Sequence, residues 1–147
     1  MSAGRSLASR APEAMSRVAL VTDRFDLVLD GEPVPNARAR RGRDGRFYTP
    51  AATAAYRERV RQAWMIAGRP CLGLEPLAVS ATFYRASRRR ADLDNLLKGL
   101  LDALNGLAWD DDAQVICFAG VHMRVAGEHG PRSVLAAWRV AQTAVAA

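Results

Sequence analysis

Asp92-Leu93-Asp94-Asn95-Leu96-Leu97-Lys98-Gly99-Leu100-Leu101-Asp102-Ala103-Leu104-Asn105-Gly106 is the stretch that decides the fold. Leu93, Leu96, Leu97, Leu100, Leu101 and Leu104 fall on helical spacing without a miss, so one apolar face must pack on something. Gly106 suits the position just past a helix end. At about 100° per residue, Asp94, Lys98, Asp102 and Asn105 line up along the edge beside the leucines. Asp94, Lys98 and Asp102 stand four residues apart and stack on successive turns. Asp92 falls at the entry to the helix, as cap or pre-cap.

Structure alone accounts for much of this edge. Acidic residues at a helix start suit the cap and the dipole, and Asp94 with Lys98 is an ordinary helical ion pair. The next block changes the balance. Trp109-Asp110-Asp111-Asp112 sets three like charges side by side after a bulky apolar anchor. Their repulsion costs stability, and a divalent cation would offset it. Mg²⁺ prefers carboxylate oxygens and few other protein ligands. Phosphodiester hydrolysis uses such ions to activate water and stabilise the leaving oxygen. The calcium-loop spacing fails, because Leu96 stands at the third ligand position. On spacing alone, any of Asp110, Asp111 and Asp112 could be the ligand.

Charge is distributed to match. The chain of 147 residues carries a net charge of +6, and six of its ten aspartates lie between positions 92 and 112. Arg38, Arg40, Arg41, Arg43 and Arg46 crowd one loop, and Arg88, Arg89 and Arg90 directly precede the acidic segment. Basic clusters beside concentrated carboxylates suit an enzyme acting on a polyanion, with nucleic acid the first expectation. Lys98 is the single lysine among 21 basic residues. A compact ammonium there could meet a phosphate or a leaving group.

Working outward, Phe25 to Leu29 and Leu77 to Tyr84 alternate as strands, with Leu77, Val79, Ala81 and Phe83 on one face. Residues 31–50 form a long loop rich in turn residues, and its length hints at function. Thr49-Pro50 opens a helix that Gly68 stops. Its apolar side is Ala54, Tyr56, Val60, Ala63, Trp64 and Ala67, and Arg57, Glu58, Arg59 and Arg61 make the polar side. Val115 to Val125 is extended, and Ser133 to Val140 is a last strand. The order β, α, β, α, β, β implies an α+β domain over residues 23–143: a small mixed sheet with two helices packed on it. Residues 1–22 read as a flexible tail.

Half the residues are hydrophobic and a quarter charged, and no stretch is long enough to span a bilayer. Cys71 and Cys117 have apolar neighbours and read as buried free thiols, which fits a reducing cytoplasm. His122 reads as structural within its strand, and His129 as solvated in a turn. Neither has a nucleophile partner, so triad chemistry is not expected.

The blocks Asp92-Leu93-Asp94-Asn95-Leu96-Leu97-Lys98, Asp102-Ala103-Leu104 and Trp109-Asp110-Asp111-Asp112-Ala113-Gln114-Val115 resemble, in type and order, the RusA family of Holliday junction resolvases. The likeness extends more loosely over residues 25–140, through Pro35-Asn36 and Tyr48 to Tyr56. Ala91 departs from a basic residue common there, and the connection from Asn105 to Trp109 is short. The resemblance implies a RusA-like fold and a small homodimeric endonuclease that cuts four-way DNA junctions symmetrically with Mg²⁺ or Mn²⁺. It implies Asp92, Asp94 and Asp112 as catalytic metal ligands with Asp111 assisting, Lys98 as the catalytic lysine, and Asn95 as the motif asparagine near DNA. Asp110 becomes a bystander, and the two arginine clusters would hold DNA phosphates. Other branched DNA, such as flaps or forks, and a non-catalytic basic module with a structural ion are the alternatives.

Overall fold

The computed structural model describes residues 23–141; the expected tail lies outside them. The chain runs β1 (Arg24–Asp30), β2 (Arg40–Arg41), β3 (Phe47–Tyr48), α1 (Ala51–Ile66), β4 (Leu77–Arg85), α2 (Leu93–Leu104), a 3₁₀ turn (Asp112–Gln114), β5 (Val115–Val125) and β6 (Arg132–Arg139). Four strands form one sheet in the order β1-β6-β4-β5. β6 pairs antiparallel with both β1 and β4, while β4 and β5 run parallel. This is the expected mixed sheet with two helices. No helix among the described residues is long and apolar enough to cross a membrane.

A parallel pair needs a crossover, and α2 supplies it between β4 and β5. The leucine face of α2 is spent there: Leu96, Leu100 and Leu104 are almost wholly buried with Val79, Ala81 and Phe83 of β4. α1 packs on α2 and β1, and it adds Tyr56, Val60 and Trp64 to the same core. Both helices therefore cover one face of the sheet. The Tyr56 hydroxyl lies 2.7 Å from the Ser133 Oγ, so its polar end is satisfied inside. Burial pushes the Tyr56 phenol above its ordinary value, and the Ser133 contact and Arg59 oppose that.

α2 spans the periodic stretch read from the sequence, and Gly106 follows its C-cap Asn105 with a φ of +77°. Arg61 of α1 donates to the Ala103 carbonyl at 3.0 Å, closing one of the free acceptors of that last turn.

Four expectations need correction. The loop over residues 31–50 is not structureless: Arg40↔Tyr48 and Arg41↔Phe47 pair as a two-stranded ribbon. Two-residue strands carry no periodicity for a sequence reading to detect. Cys71 is exposed and Cys117 half-buried, so neither is a core thiol; apolar neighbours along the chain do not set depth. On α1 the buried set is Thr53, Tyr56, Val60 and Trp64, while Ala54 and Ala67 are exposed. His122 lies on β5 as expected but faces solvent, because β5 is a sheet edge. His129 is exposed in its turn, as expected.

Candidate active site

The entry to α2 sets the first carboxylates. Asp92 occupies the N-cap position with extended backbone, yet its side chain makes no capping hydrogen bond. Its carboxylate is exposed and not committed to the helix. Asp94, one residue into the first turn, accepts from the backbone N–H of Asn95 at 2.9 Å. Its charge also suits the helix N-terminus.

Lys98 pairs with Asp102, at 3.5 Å, rather than with Asp94. Asp102 is the hub of a small network. Its Oδ2 accepts from Arg57 Nη2 at 3.4 Å and from Asn36 Nδ2 at 3.4 Å, and Arg57 Nη2 donates to Asn36 Oδ1 at 2.5 Å. Asn36 is held in turn by its own N–H, which donates to the Asn95 carbonyl at 3.0 Å. Sequence reasoning placed Arg57 on a solvated helix side. Only the packing of α1 on α2 brings it to Asp102. Asn95 is half-buried, and its backbone rather than its side chain makes that contact with the loop.

The acidic run divides its labour. Asp110 is exposed, and its Oδ1 lies 3.8 Å from the Cys71 thiol, which donates to it. Asp111 caps the 3₁₀ turn: its Oδ1 accepts from the Ala113 N–H at 3.0 Å, and its own N–H donates to Gln114 Oε1 at 2.8 Å. This reciprocal arrangement satisfies two backbone donors. Gln114 then anchors the turn to the carbonyls of Gly73 and Glu75. Asp112 faces inward, where the indole N–H of the fully buried Trp109 donates to its Oδ1 at 2.7 Å.

The two blocks meet in one open cleft. Asp94, Leu97, Lys98, Leu101 and Asp102 of α2 line it from one side, with Asp112 and Phe118 from the other. Asp92 and Asp111 are not among its walls. Partial burial raises the Asp112 carboxyl above its ordinary value, opposed by the Trp109 hydrogen bond. The charges of Asp102 and Asp111 raise it further, and Lys98 lowers it. The cleft therefore disfavours its own negative charge while no cation is present.

That disfavour has a measurable sign. A carboxylate whose folded pKa lies above its unfolded value opposes folding once both states are ionised, and the penalty fades as pH falls through the folded pKa. In metal-free protein, Asp112 is expected to titrate above the ordinary value of about 3.8 by carboxyl ¹³C NMR. Asp112→Asn, which keeps an acceptor for Trp109, is expected to raise the melting temperature of metal-free protein at neutral pH. An unchanged or lower melting temperature there contradicts the electrostatic picture.

No three carboxylate, imidazole or thiol groups converge as a complete ion cage among the described residues. With Asp102 paired to Lys98 and Arg57, Asp94 and Asp112 are the cleft carboxylates left for an ion, and such a pair suits Mg²⁺, which keeps several waters and is often bound through one or two carboxylates plus substrate phosphates. The donor set is all oxygen, with no soft ligand, and the charges of Asp102 and Asp111 beside Asp112 are ones that a cation would offset.

Among the described residues, no arginine lines this cleft. Arg88, Arg89 and Arg90, on the segment that leads into α2, line a separate groove with Arg85 and Arg124. Arg89 and Arg90 also border a second groove that Arg40 joins from the ribbon. The structure thus brings together members of two clusters about fifty positions apart. Arg38, Arg41, Arg43 and Arg46 are exposed on and around the ribbon. Glu32 holds the arginine segment in place by accepting from the backbone N–H groups of Ala86 and Ser87, each at 3.0 Å.

Residues 30–133 match the family model of endodeoxyribonuclease RusA. The chain belongs to the RusA family. The RusA crossover junction endodeoxyribonuclease of Enterobacteria phage 82 is 40% identical over 96 residues, covering 63% of this chain and 78% of that protein. The RusA crossover junction endodeoxyribonuclease of Escherichia coli K12 is 36% identical over 94 residues, with the same coverage. That of Shigella sonnei matches equally, at 36% over 94 residues. This RusA-family chain therefore carries its matched region from the end of β1 to the start of β6, which includes every residue of the cleft.

Proposed function

We propose that this RusA-family endodeoxyribonuclease resolves four-way DNA junctions by symmetric hydrolysis of phosphodiester bonds, at the cleft between α2 and the Asp112 turn. One observation carries the reading. Asp94 and Lys98 come from one sequence block and Asp112 from another, and they line the same cleft, on a helix that an arginine-rich segment leads into.

Asp94 and Asp112 would hold Mg²⁺, or Mn²⁺ in its place, with Asp92, at the N-cap of the same helix, as the third candidate ligand. When bound, such an ion lowers the pKa of an attacking water and draws charge from the phosphoryl oxygens. Lys98 meets the charge that develops on the phosphate or on the leaving oxygen. Asp102 is a positioning residue that orients Lys98, itself braced by Arg57 and Asn36. Leu97 and Leu101 give the cleft an apolar wall. Asp111 serves by capping the turn that aims Asp112, rather than as a ligand.

Arg88, Arg89 and Arg90, with Arg40 and the other ribbon arginines Arg38, Arg41, Arg43 and Arg46, bind backbone phosphates, and Asn95 of α2 adds a DNA contact. Such contacts release counterions, so binding weakens steeply with salt. Cutting two strands symmetrically calls for two sites related by a two-fold axis, which a homodimer provides.

The test is incubation with labelled four-way junction, linear duplex and flap DNA, with and without Mg²⁺ or Mn²⁺. Paired cuts in the junction, dependent on the divalent cation, are expected. Cutting of the flap alone overturns junction resolution. Binding without cutting in either metal favours a basic DNA-binding module instead.

A further inference from the structure

β5 does not follow its own alternation. Strict alternation from Val115 would turn Cys117 and Val121 the same way as Val115, and Ile116 and Phe118 the other way. The pairing with β4 runs differently. Val115 stands opposite Leu77, but Cys117 stands opposite Ala78, so β5 has gained one residue at Ile116. Phe118 stands opposite Val79, and Val121 opposite Ala81, so a second residue is gained beside Gly120, whose φ is +109°. Bulges re-aim side chains, and they gather near active sites.

The first bulge flips the phase and the second restores it. Phe118 therefore shares a face with Val79 of the core, the side that α2 covers, while Cys117 turns to the opposite face with Ala78 and Trp138. Because β5 is the sheet edge, that flip does not bury Phe118. The ring is 55% exposed and lines the cleft with Asp94, Lys98 and Asp112. A large aromatic left in solvent beside carboxylates and an ammonium has no core to stabilise. The bulge at Ile116 turns it there, and the bulge beside Gly120 returns the rest of β5 to its original phase.

We infer that Phe118 is a specificity-determining residue that stacks on an unstacked base next to the phosphate held in the cleft. The inference rests on the reading that this cleft takes DNA. Every base offers a π-face, so an aromatic platform engages any nucleotide that leaves the helical stack. At a four-way junction the base stack is interrupted where the strands change partners, so a base there can turn out onto an aromatic ring more readily than one inside a continuous duplex. The arginine grooves serve both substrates alike. Phe118 distinguishes them.

Binding is measured without divalent cation, so that no cutting intervenes, for the wild type, Phe118→Ala, Phe118→Leu and Phe118→Trp. The DNAs are an intact junction, the same junction with abasic sites at the crossover nucleotides, and linear duplex. Phe118→Ala and Phe118→Leu are expected to weaken intact-junction binding roughly 5- to 150-fold, the range that removal of one stacking aromatic spans. Duplex binding should stay unchanged, and Phe118→Trp should restore junction binding. The abasic junction should erase the difference between wild type and Phe118→Ala. Junction binding by Phe118→Ala and Phe118→Leu equal to wild type overturns the inference. So does an equal loss on junction and duplex, or a loss that accompanies dissociation into monomers in sedimentation, which would make Phe118 a contact between copies of the chain. A wild type that binds in this way but cuts no junction with Mg²⁺ or Mn²⁺ overturns the resolvase reading and leaves the stacking intact.

Discussion

Asp94→Asn is expected to bind a four-way junction within a few-fold of the wild type and to cut it roughly 10²- to 10⁴-fold more slowly. A bound cation contributes several kcal/mol to the transition state, and each 1.36 kcal/mol is a factor of ten. Asparagine has nearly the same shape, and its side-chain oxygen can still accept from the Asn95 N–H that Asp94 bonds at 2.9 Å. The first turn of α2 should therefore survive. What disappears is one negative charge in the cleft. Binding should hold or improve, since a carboxylate repels phosphate and the arginines are untouched. Single-turnover cleavage beside a binding isotherm separates the two quantities. A variant that cuts at the wild-type rate removes Asp94 from the site.

Trp109 is the position where stability and chemistry meet, and two substitutions pull them apart. The indole is fully buried and its N–H donates to Asp112 at 2.7 Å. Trp109→Ala is expected to cost about 3–5 kcal/mol in urea denaturation, as large aromatic truncations do. That is a large part of the roughly 5–15 kcal/mol by which a domain is stable. Trp109→Phe keeps most of the apolar volume and removes the donor. It is expected to cost much less stability, yet still to slow cleavage, because Asp112 loses the hydrogen bond that fixes its rotamer. Full cleavage by Trp109→Phe would mean that Trp109 only fills space.

Part of this site was legible in the amino-acid sequence. The leucine spacing of α2 dictates which edge carries Asp94, Lys98 and Asp102, since a helix converts sequence separation directly into angle. The resemblance of the Trp109 to Val115 block then named Asp112 over its neighbours. In the structure Asp112 is the residue of the run that faces the cleft, while Asp111 closes a turn and Asp110 faces solvent. Spacing alone leaves all three as possible ligands. Backbone geometry instead gives each aspartate a different direction.

Other parts were not legible, for a common reason. Arg57 and Asn36 reach Asp102 across 45 and 66 positions, through the packing of α1 and the preceding loop on α2. The ribbon strands have two residues each, too few to show a period. Cys71 is exposed although its neighbours along the chain suggested burial.

The sequence by itself determined the α+β class, the course of α2 with its acidic edge, and the RusA-family membership. Each rests on local periodicity or on motif order, which survive without knowledge of what packs where. The tertiary structure alone decided which carboxylates share a cleft, that Asp102 rather than Asp94 holds Lys98, and that the bulge at Ile116 turns Phe118 toward that cleft. Those outcomes depend on register between β4 and β5 and on helix packing. A one-residue slip in a strand reverses every side chain after it, and no single-chain pattern records where such a slip occurs.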